Sequence, residues 1–221
     1  VEDLRYLPCS CPVCSSHSVE EVKESEDLLA SHNLWVTFEE MRVVKQSIVE
    51  GSLWELCERR CRAYPALLNG LKQMAKYAGV IGKYDASTKK HPFFYLGETS
   101  THRPEVLRYS YRLNRFKLSG NVLITATVGS KGKEVESGNY DYVFFVKPPF
   151  GPYPAELSES YPVGQSEIPA EIDYGAKTVA LQNVLKLLEL NNGKAKFVFA
   201  YDDSWEGHPL IEEIGKYAEV G

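Results

Sequence analysis

Cys9, Cys11 and Cys14 stand in C-x-C-x-x-C spacing, and His32 follows them within a helical pattern. Three sulfurs at that spacing can turn toward one point, and a fourth ligand carried by a following helix closes a tetrahedron. Thiolates at about 2.3 Å and an imidazole nitrogen at about 2.0 Å leave no open coordination position, so the chemistry is that of a structural zinc rather than a catalytic one. Pro8 and Pro12 stiffen the knuckle, which has no hydrophobic run of its own. The plainer alternative is three reduced cysteines in a loop beside an unrelated histidine. His17 is a second choice of ligand, because it lies only three residues past Cys14 and would strain the tetrahedron.

A second group of residues suits anions. Arg103, Arg108, Arg112, Arg115 and Lys117 face a single acid, Glu105, over the same stretch, with Tyr109, Tyr111 and Phe116 interleaved. On a helix Arg108, Arg112 and Arg115 fall on one side, where guanidinium groups can follow a phosphate backbone, so these five residues are the candidate phosphate-binding set. The competing account is a solvated helix face whose cations pair with acids such as Glu156 and Glu159. No residue is assigned a catalytic role. Asp202-Asp203 could pass for paired carboxylates, but a capping turn before Ser204 and Pro209 explains them. His91, His102 and His208 precede or nearly precede prolines and suit turns.

The elements that must position these residues are legible in outline. Ser18 with Glu21 three residues later forms a capping box, opening a helix that carries Leu28 and Leu29 into His32. Leu34, Phe38, Met41, Val44 and Ile48 recur at helical spacing up to Gly51. Ser52 caps a helix with Arg59, Arg60 and Arg62 in its last part, and Pro65 opens another to about Tyr77. Beyond residue 90 the period changes. Phe93–Leu96 is a short apolar run, 103–116 is helical, and 122–128 and 142–146 are strands, the latter stopping at Pro148-Pro149. A Pro-rich loop extends to about Pro169, followed by a helix over 176–190, a strand over 196–201 and a closing helix over 209–217. The fold class is therefore α+β: a zinc knuckle with helices over residues 1–90, then a small α/β domain over 91–221 with a three- to four-stranded sheet.

Composition limits the classes of function. With 43% apolar residues, 221 residues hold real cores, and no apolar run approaches a membrane span. No signal-like segment opens the chain, so a soluble, cytoplasmic protein without a membrane partner is expected. The five cysteines are an odd count, and Cys57 and Cys61 lie at i, i+4 in a helical pattern, which argues against a disulfide scaffold. The net charge of −5 gives no global case for nucleic acid. Val1–Leu7 has neither an initiator methionine nor a helical pattern and reads as the exit of a preceding element, as in a truncated or split protein.

The knuckle followed by His32-Asn33-Leu34-Trp35-Val36-Thr37-Phe38-Glu39-Glu40 resembles the zinc-binding end of the archaeosine tRNA-guanine transglycosylases, and Ser160-Tyr161-Pro162 with Gln165-Ser166-Glu167 resembles the domain that follows it in that family. The resemblance implies zinc on Cys9, Cys11, Cys14 and His32, although the Cys14 to His32 gap is shorter than is usual there. It also implies exchange of guanine in tRNA for a 7-deazaguanine precursor of archaeosine. The family's catalytic aspartates lie on a barrel that precedes the zinc segment, and none of that barrel is in this sequence. The implied partners are tRNA, which would fall to Arg103, Arg108, Arg112, Arg115 and Lys117, a catalytic-barrel subunit or N-terminal domain packing on Leu34–Ile48, and a second copy through the zinc region. Two alternatives are an archaeosine synthase-like paralogue and a non-enzymatic zinc-stabilised interaction module. The synthase resembles the chain less, because the strand 122–128 runs into Gly129-Ser130-Lys131-Gly132 without the synthase's Pro-Cys-Ser loop.

Overall fold

The computed structural model describes residues 5–127 and 139–221. The end of the expected strand at Val128, the Gly129–Gly132 turn and the first four residues of the chain lie outside them. Two compact units are present, one up to Leu56 and one from Cys57 onward.

In the first unit, α1 (Pro12–Ser16) begins on Cys11, whose sulfur accepts from the Cys14 N–H, and Pro12 fills the first turn where no donor is needed. Helix α2 (Val19–Glu24) has the expected reciprocal capping box between Ser18 and Glu21. It does not run on to His32. Ser25 leaves helical geometry and caps α3 (Glu26–Glu50) through the Leu28 N–H, so His32 sits two turns inside a new 25-residue helix. At 1.5 Å per residue α3 spans about 37 Å. It ends at Gly51, whose φ of 82° is the left-handed conformation that releases the last carbonyls to a tight cap.

The second unit opens with the end of α4 (Leu53–Cys61), then α5 (Pro65–Met74) and α6 (Ala78–Ile81). A parallel pair, β1 (Phe93–Phe94) with β5 (Ser166–Glu167), forms a minimal sheet. Among the described residues the main sheet has five strands in the order β4-β3-β2-β6-β7, one more than the upper expectation: β4 (Gly151–Pro154), β3 (Tyr142–Lys147), β2 (Gly120–Ala126), β6 (Ala195–Tyr201) and β7 (Ala218–Val220). Of these pairings β3–β4 is antiparallel and the other three are parallel. Central β2 buries Val122, Leu123 and Ile124 completely, the continuous apolar run of a strand covered on both faces.

The two extra strands explain the difference in count. β4 is Gly-Pro-Tyr-Pro, a composition that reads as loop; at a sheet edge it pairs on one side only, so its prolines remove no ladder bond that is needed. β7 is three residues long and follows the closing helix, which stops at Ile214 rather than Tyr217.

Helix α7 (Pro104–Arg112) is followed by a 3-10 turn (Leu113–Arg115), and α8 (Tyr174–Leu190), capped by Asp173, is the main cover of the sheet. Ala180, Leu181, Val184, Leu187 and Leu188 of α8 join Val122, Ile124, Phe144, Phe197 and Phe199 in one core. The short helix α9 (Pro209–Ile214) closes this side. A second core gathers Phe93, Tyr95, Val106, Tyr109, Leu113 and Phe150, and Phe116 packs against both.

Candidate metal centre

The ligand atoms of Cys9, Cys11, Cys14 and His32 all lie within 4.8 Å of one another. The Nδ1 nitrogen of His32 is 3.3 Å from Cys11 Sγ and 3.1 Å from Cys14 Sγ, so this edge of the ring faces the sulfurs. Four donors around a tetrahedral ion stand roughly 3.5–3.8 Å apart when metal–ligand bonds are 2.0–2.3 Å, and this cluster needs only small adjustments to reach that spacing. His17 stays outside it, 3.8 Å from Glu21.

The backbone prepares the sulfurs for charge. The Cys11 N–H points to Cys9 Sγ at 3.4 Å and the Cys14 N–H to Cys11 Sγ at 3.3 Å. Burial by itself would push the Cys11 thiol up, but the Cys14 N–H, the His32 ring and the neighbouring thiols outweigh it and bring Cys11 down to about 6. Burial, the bond to Cys11 and the charge beside it push Cys14 up to about 11. Two thiolates this close repel, and a cation among them relieves that repulsion. The residues therefore form a group that can hold a metal ion, closed by four protein ligands with no place for a substrate.

The five basic residues expected to meet tRNA do not act together. Arg103 is fully buried. Its Nη2 is 2.7 Å from Glu105 Oε1, its Nη1 donates to the Phe94 carbonyl at 3.1 Å, and its guanidinium lies 4.1 Å over the Phe93 ring. A guanidinium so enclosed cannot reach a phosphate. Lys89 Nζ binds the same Glu105 oxygen at 2.7 Å and Asp85 at 2.8 Å, and the Tyr161 hydroxyl donates to Glu105 at 2.9 Å. Burial would raise the Glu105 carboxyl, but Arg103 and then Lys89 overcome it and hold it down at about 2. Arg108 pairs with Asp85 and donates to the Ala86 carbonyl at 2.9 Å. The acids that take these cations are thus Asp85 and Glu105, not Glu156 and Glu159.

Arg112 is half-buried, Arg115 and Lys117 are exposed, and none of the three has an acidic partner among the described residues. Arg115 lies in the 3-10 turn past the end of α7, which breaks the expected one-sided stripe. Glu105 as the hub of a buried network carries no spacing signature, since its partners come from positions 89, 103 and 161, and Asp85 joins only through Lys89.

Asp202 and His208 take structural roles. Asp202 Oδ1 accepts from the Ser204 N–H at 3.0 Å and caps a 3-10 turn, as the capping account expects. His208 caps α9, accepting from the Leu210 N–H at 3.3 Å. Among the described residues no helix is long and apolar enough to cross a membrane.

Residues 2–66 match a family model described as queuine tRNA-ribosyltransferase. Over its whole length the chain is 48% identical to a tRNA-guanine(15) transglycosylase of Methanosarcina acetivorans, of which it covers 44%. A protein of the same name in Haloferax volcanii is 40% identical over 92% of the chain and 39% of that relative, and one in Methanocaldococcus jannaschii is 44% identical over 79% of the chain and 28% of that relative. The chain thus spans less than half the length of the curated relatives it matches.

Proposed function

We propose that this chain is the zinc-bearing, barrel-packing and RNA-contacting portion of a tRNA-guanine transglycosylase, which exchanges a guanine of tRNA for the 7-deazaguanine precursor of archaeosine. The observation that carries the proposal is the 48% identity along the entire chain to a protein named for guanine exchange at position 15 of tRNA, of which the chain is 44%. The Cys3His group supports zinc as the resident ion, because soft thiolates with one imidazole in a closed tetrahedron suit zinc and leave it no catalytic position. Zinc bound there would tie the knuckle to the start of α3.

Helix α3 carries the packing role. Leu34, Phe38, Met41 and Ile48 share one face and are each 48–58% exposed, an apolar stripe that no monomeric surface helix needs. Its occupant in this proposal is the catalytic barrel. Contact with tRNA falls to Arg112, Arg115 and Lys117, the cations of this set that have no acidic partner among the described residues. Arg103 and Arg108 drop out of that role.

Transglycosylation needs a nucleophile and an acid/base group converging on the glycosidic carbon. Among the described residues the paired carboxylates at 202–203 serve a turn instead. The proposal is tested by assaying incorporation of labelled guanine into tRNA with the chain alone and with a barrel-bearing chain of the same family added. Incorporation only in the mixture is expected. Turnover by the chain alone would refute it, and so would a failure of the mixture to form a complex.

A further inference from the structure

Between the 3-10 turn after α7 and the edge of the main sheet lie two adjoining hollows of about 580 and 260 Å³. They share Arg115, Phe116 and Leu157. The larger arises where the chain leaves β4 at Pro154 and turns through Ala155–Leu157, so that this turn and the segment around Phe116 stand apart. Phe116 packs edge-on against Phe144 at 5.3 Å and belongs to the margins of both cores, which makes it a fixed wall. Tyr142, 42% exposed, and Leu157 offer further apolar surface.

The charge at the mouth is selective. Upstream cations are consumed: Arg103 and Lys89 by Glu105, Arg108 by Asp85. Arg115 and Lys117 on the larger hollow and Arg112 on the smaller have no acidic partner among the described residues. Of the two acids on the larger hollow, Asp141 is tied to the Asn121 N–H at 2.8 Å. Glu156 remains as an acceptor for an amino group.

We infer that this crevice takes one unstacked nucleotide of RNA, its base against Phe116, Tyr142 and Leu157 and its phosphate on Arg115 and Lys117. The inference rests on the RNA-contacting role proposed above and adds where and in what form the RNA is held. Cations alone would serve a duplex backbone, which keeps its bases stacked and presents nothing to fill an apolar hollow. A base with a π-face beside an aromatic wall, and a phosphate within reach of the two exposed cations Arg115 and Lys117, matches both halves of the site. Hollows of this size suit a ligand of nucleotide dimensions.

The test is a fluorescence titration of the full chain with a single-stranded RNA of about eight nucleotides bearing a central 2-aminopurine. The same RNA made abasic at that position and a blunt duplex of equal charge serve as comparisons. The base-bearing strand should bind about tenfold more tightly than the abasic one, with a change in 2-aminopurine emission. Leu157→Trp, which fills the hollow, should abolish that difference, while Arg115→Ala should weaken all three RNAs. Tyr142→Ala, at an exposed position, provides a second variant should Leu157→Trp melt early. Equal affinity for base-bearing, abasic and duplex RNA would overturn the crevice and leave the RNA-contacting role standing as simple phosphate contact. Binding of an apolar peptide that Leu157→Trp blocks, with RNA unaffected, would overturn it in favour of a protein occupant. Absence of binding to any of the RNAs at low salt would remove both.

Discussion

His32 Nδ1 stands 3.1 Å from Cys14 Sγ although the chain between them makes a helix, a break and a second helix. The break at Ser25 is what permits this. A single straight helix from Val19 would fix the direction of His32, whereas a second cap at Ser25 lets α3 set off along its own axis.

Cys11 is the ligand with most at stake, being fully buried and bonded to its three neighbours. Cys11→Ser should release the metal and lower the melting temperature of the first unit, because metal binding and local folding are one equilibrium. Metal analysis by mass spectrometry together with circular dichroism checks this. One zinc per chain is expected in the wild type, with Cys57→Ser and Cys61→Ser unchanged. Stoichiometric zinc in a Cys9/Cys11/Cys14 triple serine variant would sink the ligand assignment.

Glu105 predicts an acid limb. Its carboxyl is held at about 2 against an ordinary 4.5, so it binds fewer protons folded than unfolded between those values. The stability it contributes is complete above the unfolded value and is lost as pH falls from about 4.5 through about 2. That loss amounts to about 3 kcal/mol. Denaturation by urea followed across that range should show it, and Glu105→Gln should flatten it. At neutral pH the same variant leaves Arg103 buried without its carboxylate and should cost about 3–5 kcal/mol.

The arginines should separate into two classes. Arg108→Ala breaks a partly exposed pair with Asp85 and should cost about 1 kcal/mol, lowering the melting temperature by about 2–4 °C. Arg115→Ala and Lys117→Ala remove exposed cations that have no acidic partner among the described residues and should leave melting unchanged. If the proposed function holds, they should weaken tRNA binding by the chain assembled with a barrel-bearing partner and reduce the salt slope by about one unit per lost phosphate contact. Melting curves and salt titrations on the same four proteins, wild type included, read both effects.

Gly151 begins the edge strand with φ of 96°, and a Cβ there would stand 2.7 Å from Asn183 Cβ and 2.9 Å from the Ala180 carbonyl of α8. Gly151→Ala should therefore destabilise by about 2–4 kcal/mol, combining a left-handed backbone with overpacking. Gly193, with φ of 74° and open space around it, isolates the backbone part: Gly193→Ala should cost about 1 kcal/mol. Chemical denaturation of the two variants makes the comparison.

What the amino-acid order determines by itself here is local. The capping box at Ser18, the stop at Gly51, the proline start at Pro65 and the buried run of β2 each depend on a few neighbouring residues, and each lies where the spacing places it. The group of Cys9, Cys11, Cys14 and His32 that could hold a metal is legible for the same reason, since three of its members share one short knuckle. Tertiary structure decided the rest. The prolines of β4 disfavour a strand until an edge offers one-sided pairing, and β7 is too short to declare itself before β6 is there to pair with. Helical spacing put Arg103 and Arg108 among the solvent-facing cations, but their environment is set by Asp85, Lys89, Phe93 and Tyr161, which arrive from distant parts of the chain. A charged side chain is free or consumed according to the acids that long-range packing brings to it, and no periodicity along the chain encodes that choice.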